Sequence, residues 1–78
     1  MSLRKDAPKN VMAALQRFRD NGDHSTSLYD LGCVLSIRED QRRPSDSDVL
    51  RAMQPLLDEG VVVEDFSRPY LDRHFRVA

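Results

Sequence analysis

The sequence predicts a mainly α fold with a small C-terminal β-hairpin, an α+β class, on three observations. Apolar residues recur at helical spacing in three separate segments before residue 60. Glycine stands just after the first and third of these segments. Residues 61–77 then switch to two β-rich runs around a turn containing Pro69. With 78 residues the chain forms one domain over 1–78, too short to build both a large core and an enclosed substrate cavity.

The first helix is predicted from Ala7 to Asp20, where Val11, Ala14, Leu15 and Phe18 share a face. Residues 1–6 form an N-terminal arm, Asp6 caps the helix, and Pro8 is harmless in the first turn, where its missing N–H has no partner to lose. Asn21-Gly22 ends it, while Lys9, Arg17 and Arg19 occupy the solvent face. Asp23 to Thr26 is too polar for a core element and reads as a loop or a short edge strand.

Ser27 caps a second helix, with Asp30 three residues on, and Leu28, Leu31, Val34 and Leu35 make its apolar stripe. It is predicted to end near Ser36 or Ile37, and Cys33 reads as a small core residue on it. Residues 38–46 read as an exposed, mobile loop. A third helix starts from a cap among Ser45 to Ser47, buries Val49, Leu50, Met53, Leu56 and Leu57, and stops at Gly60. Pro55 within it removes a backbone hydrogen bond and crowds the carbonyl of Arg51, which predicts a kink or a split into two pieces.

The hairpin follows over 61–77. Pairing Val61 with Val77 and Val63 with Phe75 puts four apolar side chains on its inner face, and sets Asp65 opposite Arg73 and Glu64 opposite His74.

Composition narrows the function classes. Hydrophobic residues at 40% and charged residues at 32% are those of a globular protein, and no apolar run approaches the ~20 residues of a membrane span. The first ten residues are charged where a signal peptide is apolar, so a cytoplasmic location is expected. Cys33, the single cysteine, forms no internal disulfide, which suits a reducing compartment, and a homodimer would supplement so small a core. No catalytic constellation and no cofactor motif stands out. His24, Cys33 and His74 lack the short spacings of a zinc site, so no metal is expected.

The net charge of −1 is segregated, with +4 over residues 1–19 and −5 over residues 44–65. All basic residues except Lys5 and Lys9 are arginine, which suits bidentate contact with phosphate or carboxylate.

Ser27-Leu28-Tyr29-Asp30-Leu31, and the run from Val49 to Val62 that carries Leu-Leu-Asp-Glu-Gly-Val-Val, resemble the winged helix-turn-helix superfamily. The resemblance spans essentially the whole chain, as helix, short extended segment, helix, loop, helix and hairpin, and makes the hairpin a wing. It implies a small DNA-binding protein, a transcriptional regulator acting on double-stranded DNA as a dimer. Two features depart from that pattern. The linker before the third helix has about nine polar residues where such proteins have three or four, and the third helix turns Asp48, Arg51, Ala52, Pro55, Asp58 and Glu59 outward. Phosphate repels that acidic face, so the candidate nucleic-acid contacts are Arg38, Arg42, Arg43, Arg68, Arg73 and Arg76, with Arg51 on the helix itself. Arg4 and Lys5, with Lys9, Arg17 and Arg19, form a second basic area. The alternative function is a winged-helix protein-interaction module, with Tyr29, Tyr70 and Leu71 as exposed apolar contacts beside the acidic third helix.

Overall fold

The structure is a computed structural model that describes residues 7–69 and 71–78. The elements run α1 (Ala7–Asp20), β1 (Thr26–Ser27), α2 (Leu28–Arg38), α3 (Asp46–Glu59), β2 (Val62–Glu64) and β3 (His74–Val77). Three helices and a small antiparallel sheet make the α+β class, with one more strand than a hairpin. The sheet order is β1-β3-β2, so β3 is central and β1 pairs Thr26 with Phe75 and Ser27 with His74. The polar segment after α1 therefore ends as an edge strand.

Side chains at the helix starts, and backbone bonds at the helix ends, set these boundaries. Ser27 Oγ accepts the Asp30 N–H at 3.2 Å, and Ser45 Oγ accepts the Asp48 N–H at 3.2 Å. Asp30, Asp46 and Asp48 in the first turns also favour the positive ends of their helices. The cap assigned to Asp6, and the arm before it, lie outside the described residues. All three helices end in one pattern, in which two successive residues shortly past the end turn back onto the last carbonyls. Gly22 and Asp23 donate to Arg19 and Phe18, Asp40 and Gln41 to Ile37 and Ser36, and Gly60 and Val61 to Leu57 and Leu56. The turning residue is left-handed each time, at φ 94° for Gly22, 51° for Asp40 and 76° for Gly60.

The core joins all three helices to the sheet. Val11, Leu15, Leu31, Leu35 and Met53 are buried as their spacing predicts, together with Ala14, Leu28, Val49 and Phe75. Phe18, Leu50, Leu57 and Val77 pack against that centre while half-buried. Ala52 is buried too, so it leaves the outward face of α3 to charged residues, Gln54 and Pro55. Cys33, expected in the core, is only half-buried.

Three expectations are corrected. The hairpin register is shifted by one residue: Val62 faces Val77, Val63 faces Arg76 and Glu64 faces Phe75. The Val61 N–H terminates α3 on Leu56 while its carbonyl accepts from the Ala78 N–H at 3.0 Å, so Val61 lies opposite Ala78 and Val62 is buried in place of Val61 and Val63. The expected pairs of Asp65 with Arg73 and of Glu64 with His74 dissolve with that shift. Arg73 instead clasps Glu64 with two hydrogen bonds of 2.9 and 2.7 Å, and the His74 ring nitrogen Nδ1 lies 2.8 Å from the carbonyl of Asp72.

The second correction concerns the linker before α3. Arg38 ends α2, Asp46 starts α3, and both Glu39 and Pro44 between them are buried. Glu39 is 2% exposed and its carboxylate accepts from Asn10 Nδ2 at 3.2 Å and Gln41 Nε2 at 3.4 Å. Gly32 lets the linker approach α2, since a Cβ there would stand 3.3 Å from both Arg43 Cγ and the Pro44 carbonyl. Arg38, Asp40, Arg42, Arg43, Ser45 and Asp46 are exposed as the polar composition signals, while Glu39 and Pro44 turn inward, Glu39 toward Asn10 of α1. The third correction excludes one of the two alternatives at Pro55, since α3 is one helix through that residue and does not split there.

Candidate functional site

Two exposed apolar side chains, Tyr29 and Leu71, meet where the starts of α2 and α3 approach the β2–β3 hairpin. Leu28 and Tyr29 from α2, Leu50 from α3 and Leu71 from the hairpin line a groove of about 570 Å³, and Asp46, Ser47, Asp72 and Arg73 complete its walls. Tyr29 is 55% exposed and Leu71 fully so. Two of the expected protein contacts, 42 residues apart in the chain, therefore share one groove; the third, Tyr70, lies outside the described residues.

The arginines are dispersed by comparison. The Arg43 guanidinium stacks 4.4 Å from the centre of the Tyr29 ring and stands 3.9 Å from Asp46, forming part of the groove's edge. Arg51 sits 3.7 Å from Asp48 on α3. Arg68 shares a surface pocket of about 220 Å³ with Glu64, Asp65 and Asp72. Arg73 is committed to Glu64 and lies 5.3 Å from the Phe75 ring centre. Arg42 is exposed on the linker. Arg38 meets Arg17 in a groove between α1 and α2, and Arg76 meets Arg19 in a pocket of about 330 Å³ beside β3. The structure thus pairs two expected nucleic-acid contacts with arginines of the second basic area, near the end of α1. The Arg4 and Lys5 part of that area lies outside the described residues.

The Glu64–Arg73 pair ties the two hairpin strands together. The hydrogen bonds from Arg73 hold the Glu64 carboxyl below its ordinary value, and those to Glu64 raise Arg73 above its own.

Next to this pair, His24, Asp65 and Ser67 form a cluster with the residue types of a hydrolytic triad. His24 Nε2 lies 3.0 Å from Ser67 Oγ and 3.1 Å from Asp65 Oδ2, and the Ser67 hydroxyl donates to Asp65 Oδ1 at 2.6 Å. A proton relay needs aspartate and serine on opposite ring nitrogens. Here one nitrogen meets both, and the serine proton goes to the aspartate, so the cluster is a clamp. It fastens the segment after α1 to the hairpin and satisfies the buried carboxylate of Asp65, whose side chain is 2% exposed.

Ile37 near the end of α2 and Phe66 between β2 and β3, each about four-fifths exposed, are further apolar surface residues. A signal for Ile37 was present. Val34 and Ile37 lie three apart on α2, on a stripe offset from the buried Leu28, Leu31 and Leu35.

Among the described residues, no three His, Cys, Asp or Glu side chains come together as metal ligands, and no helix is long and apolar enough to cross a membrane. No family model, curated protein or solved structure matches the chain.

Proposed function

We propose that the chain is a winged-helix protein-interaction module that receives its partner in the groove between the starts of α2 and α3 and the wing. The element order, and a short first strand paired with the last, support the winged-helix reading. The observation that carries the functional reading is the convergence of Tyr29, Leu71, Leu28 and Leu50 on one groove with Asp46 and Asp72 in its walls. Aromatic and aliphatic side chains around a groove supply the desolvated centre of a protein interface. Arg73 in the same wall is committed to Glu64, so the carboxylates of Asp46 and Asp72 are left to favour a partner segment carrying lysine or arginine among apolar residues.

A second reading, binding of double-stranded DNA by a transcriptional regulator, is favoured by the arginine pairs Arg17 with Arg38 and Arg19 with Arg76. Among the described residues, none of these four stands within 4.0 Å of a carboxylate.

The test is a titration of isotope-labelled protein with an amphipathic peptide whose polar face is lysine, alongside anisotropy against a mixed-sequence duplex at several salt concentrations. The peptide is expected to shift the amides of Tyr29, Leu50 and Leu71, and a Tyr29→Ala, Leu71→Asp variant to lose that response. Duplex binding would overturn the proposal in favour of DNA if its logarithmic salt slope fell by roughly 0.9 per contact on neutralising Arg38, Arg42, Arg68 or Arg76.

A further inference from the structure

A different surface carries only basic charge. Between α1 and α2 lies a groove of about 340 Å³ lined by Ala14, Phe18, Val34 and Ile37, with Arg17 and Arg38 beside them. It shares no lining residue with the groove at the wing. Ala14 is fully buried at its floor and Phe18 and Val34 are half-buried, while Ile37 stands 82% exposed at its edge.

We propose that this groove is a second docking surface and that its occupant is an acidic amphipathic helix of a partner protein. Three observations converge on that occupant. The apolar residues come from two neighbouring helices at spacings of three and four, Ala14 and Phe18 on α1 and Val34 and Ile37 on α2. An amphipathic helix laid between them meets the pattern by which helices pack. The flanking charges are both guanidinium groups, and neither has a carboxylate within 4.0 Å among the described residues. Glutamate or aspartate on the occupant's polar face supplies what they lack. Arginines in the last turns of α1 and α2 also favour the negative helix ends, but that role does not explain an isoleucine left in water beside them.

A second copy of the chain is a poorer fit. Its acidic stretch, α3, turns Arg51, Gln54, Pro55, Asp58 and Glu59 outward and offers little apolar surface to fill the groove.

The experiment uses the full chain, isotope-labelled, and two synthetic amphipathic peptides with the same leucine pattern, one with a glutamate polar face and one with lysine. The glutamate peptide is expected to shift the amides of Phe18, Val34 and Ile37, and the lysine peptide to leave them unmoved. Ile37→Asp should weaken the glutamate peptide about tenfold, as loss of an interface residue does. Because Ile37 is exposed, its circular dichroism should match the parent. Reversing both charges, Arg17→Glu with Arg38→Glu, should transfer the response to the lysine peptide.

Equal response to both peptides, or shifts confined to other residues, would overturn the proposal. So would the same amides moving on dilution of the protein alone, which marks a second copy, or moving with duplex DNA in preference to the glutamate peptide. Failure here leaves the wing groove untouched, since that site is read through Tyr29, Leu50 and Leu71 with the lysine peptide.

Discussion

Glu64 and Arg73 show what a single pair contributes to the hairpin. Two parallel hydrogen bonds fix the geometry, but half of the Arg73 side chain remains in water, so screening limits the pair's share of stability. Its sign is nevertheless definite. The folded carboxyl of Glu64 is depressed below its ordinary value of 4.5, so the stabilisation is fully present above that value and is lost as pH falls through the folded one. Urea unfolding of the parent and of Glu64→Gln should therefore differ at neutral pH and converge in acid. A difference that persisted unchanged across the range would assign the effect to side-chain shape.

Among the elements, α3 carries the clearest internal conflict. Ser45 caps it, two aspartates favour its start and Gly60 closes it, yet Pro55 interrupts its hydrogen-bond ladder three-quarters of the way along. Pro55 is exposed, so its ring adds nothing to the core in return. Packing of Val49, Ala52 and Met53 holds the helix together across the missing bond. Pro55→Ala should raise stability by about 1–3 kcal/mol, visible as a higher denaturation midpoint without change in fold. A variant no more stable than the parent would mean that Pro55 limits the unfolded chain enough to offset the lost bond.

For the whole molecule, the Cα radius of gyration of 11.4 Å matches the ~11.5 Å expected of a self-contained domain of this length. The core is a single cluster in which residues of all three helices meet Val62 and Phe75 of the sheet, so unfolding should be cooperative. Leu31 is fully buried at its centre, and Leu31→Ala should cost ~2–5 kcal/mol, a large share of the total for so small a domain. Calorimetry should show one transition displaced to lower temperature. Two transitions would reveal that the helices and the sheet melt separately. The two grooves differ in charge, with Asp46, Asp72 and Arg73 around the one at the hairpin and Arg17 and Arg38 beside the one between α1 and α2.

The sequence by itself determined what local chemistry controls. Helix periodicity, serine caps and residues able to turn left-handed act within a few positions, so all three helices were legible in their places, as was the strand-forming character of the C-terminus. Tyr29 and Leu71 were also legible as surface apolar residues. Tertiary structure decided what depends on distant partners. The hairpin register turned on Val61 giving its N–H to the helix end and its carbonyl to Ala78. The burial of Glu39 turned on Asn10, 29 residues away, and the fate of Asp65 on His24. Spacing along the chain does not encode which of several arginines meets which carboxylate, or that two apolar side chains will share a groove. Those outcomes follow from the packing angles of whole elements, and packing alone brought Tyr29 to Leu71 and Arg17 to Arg38.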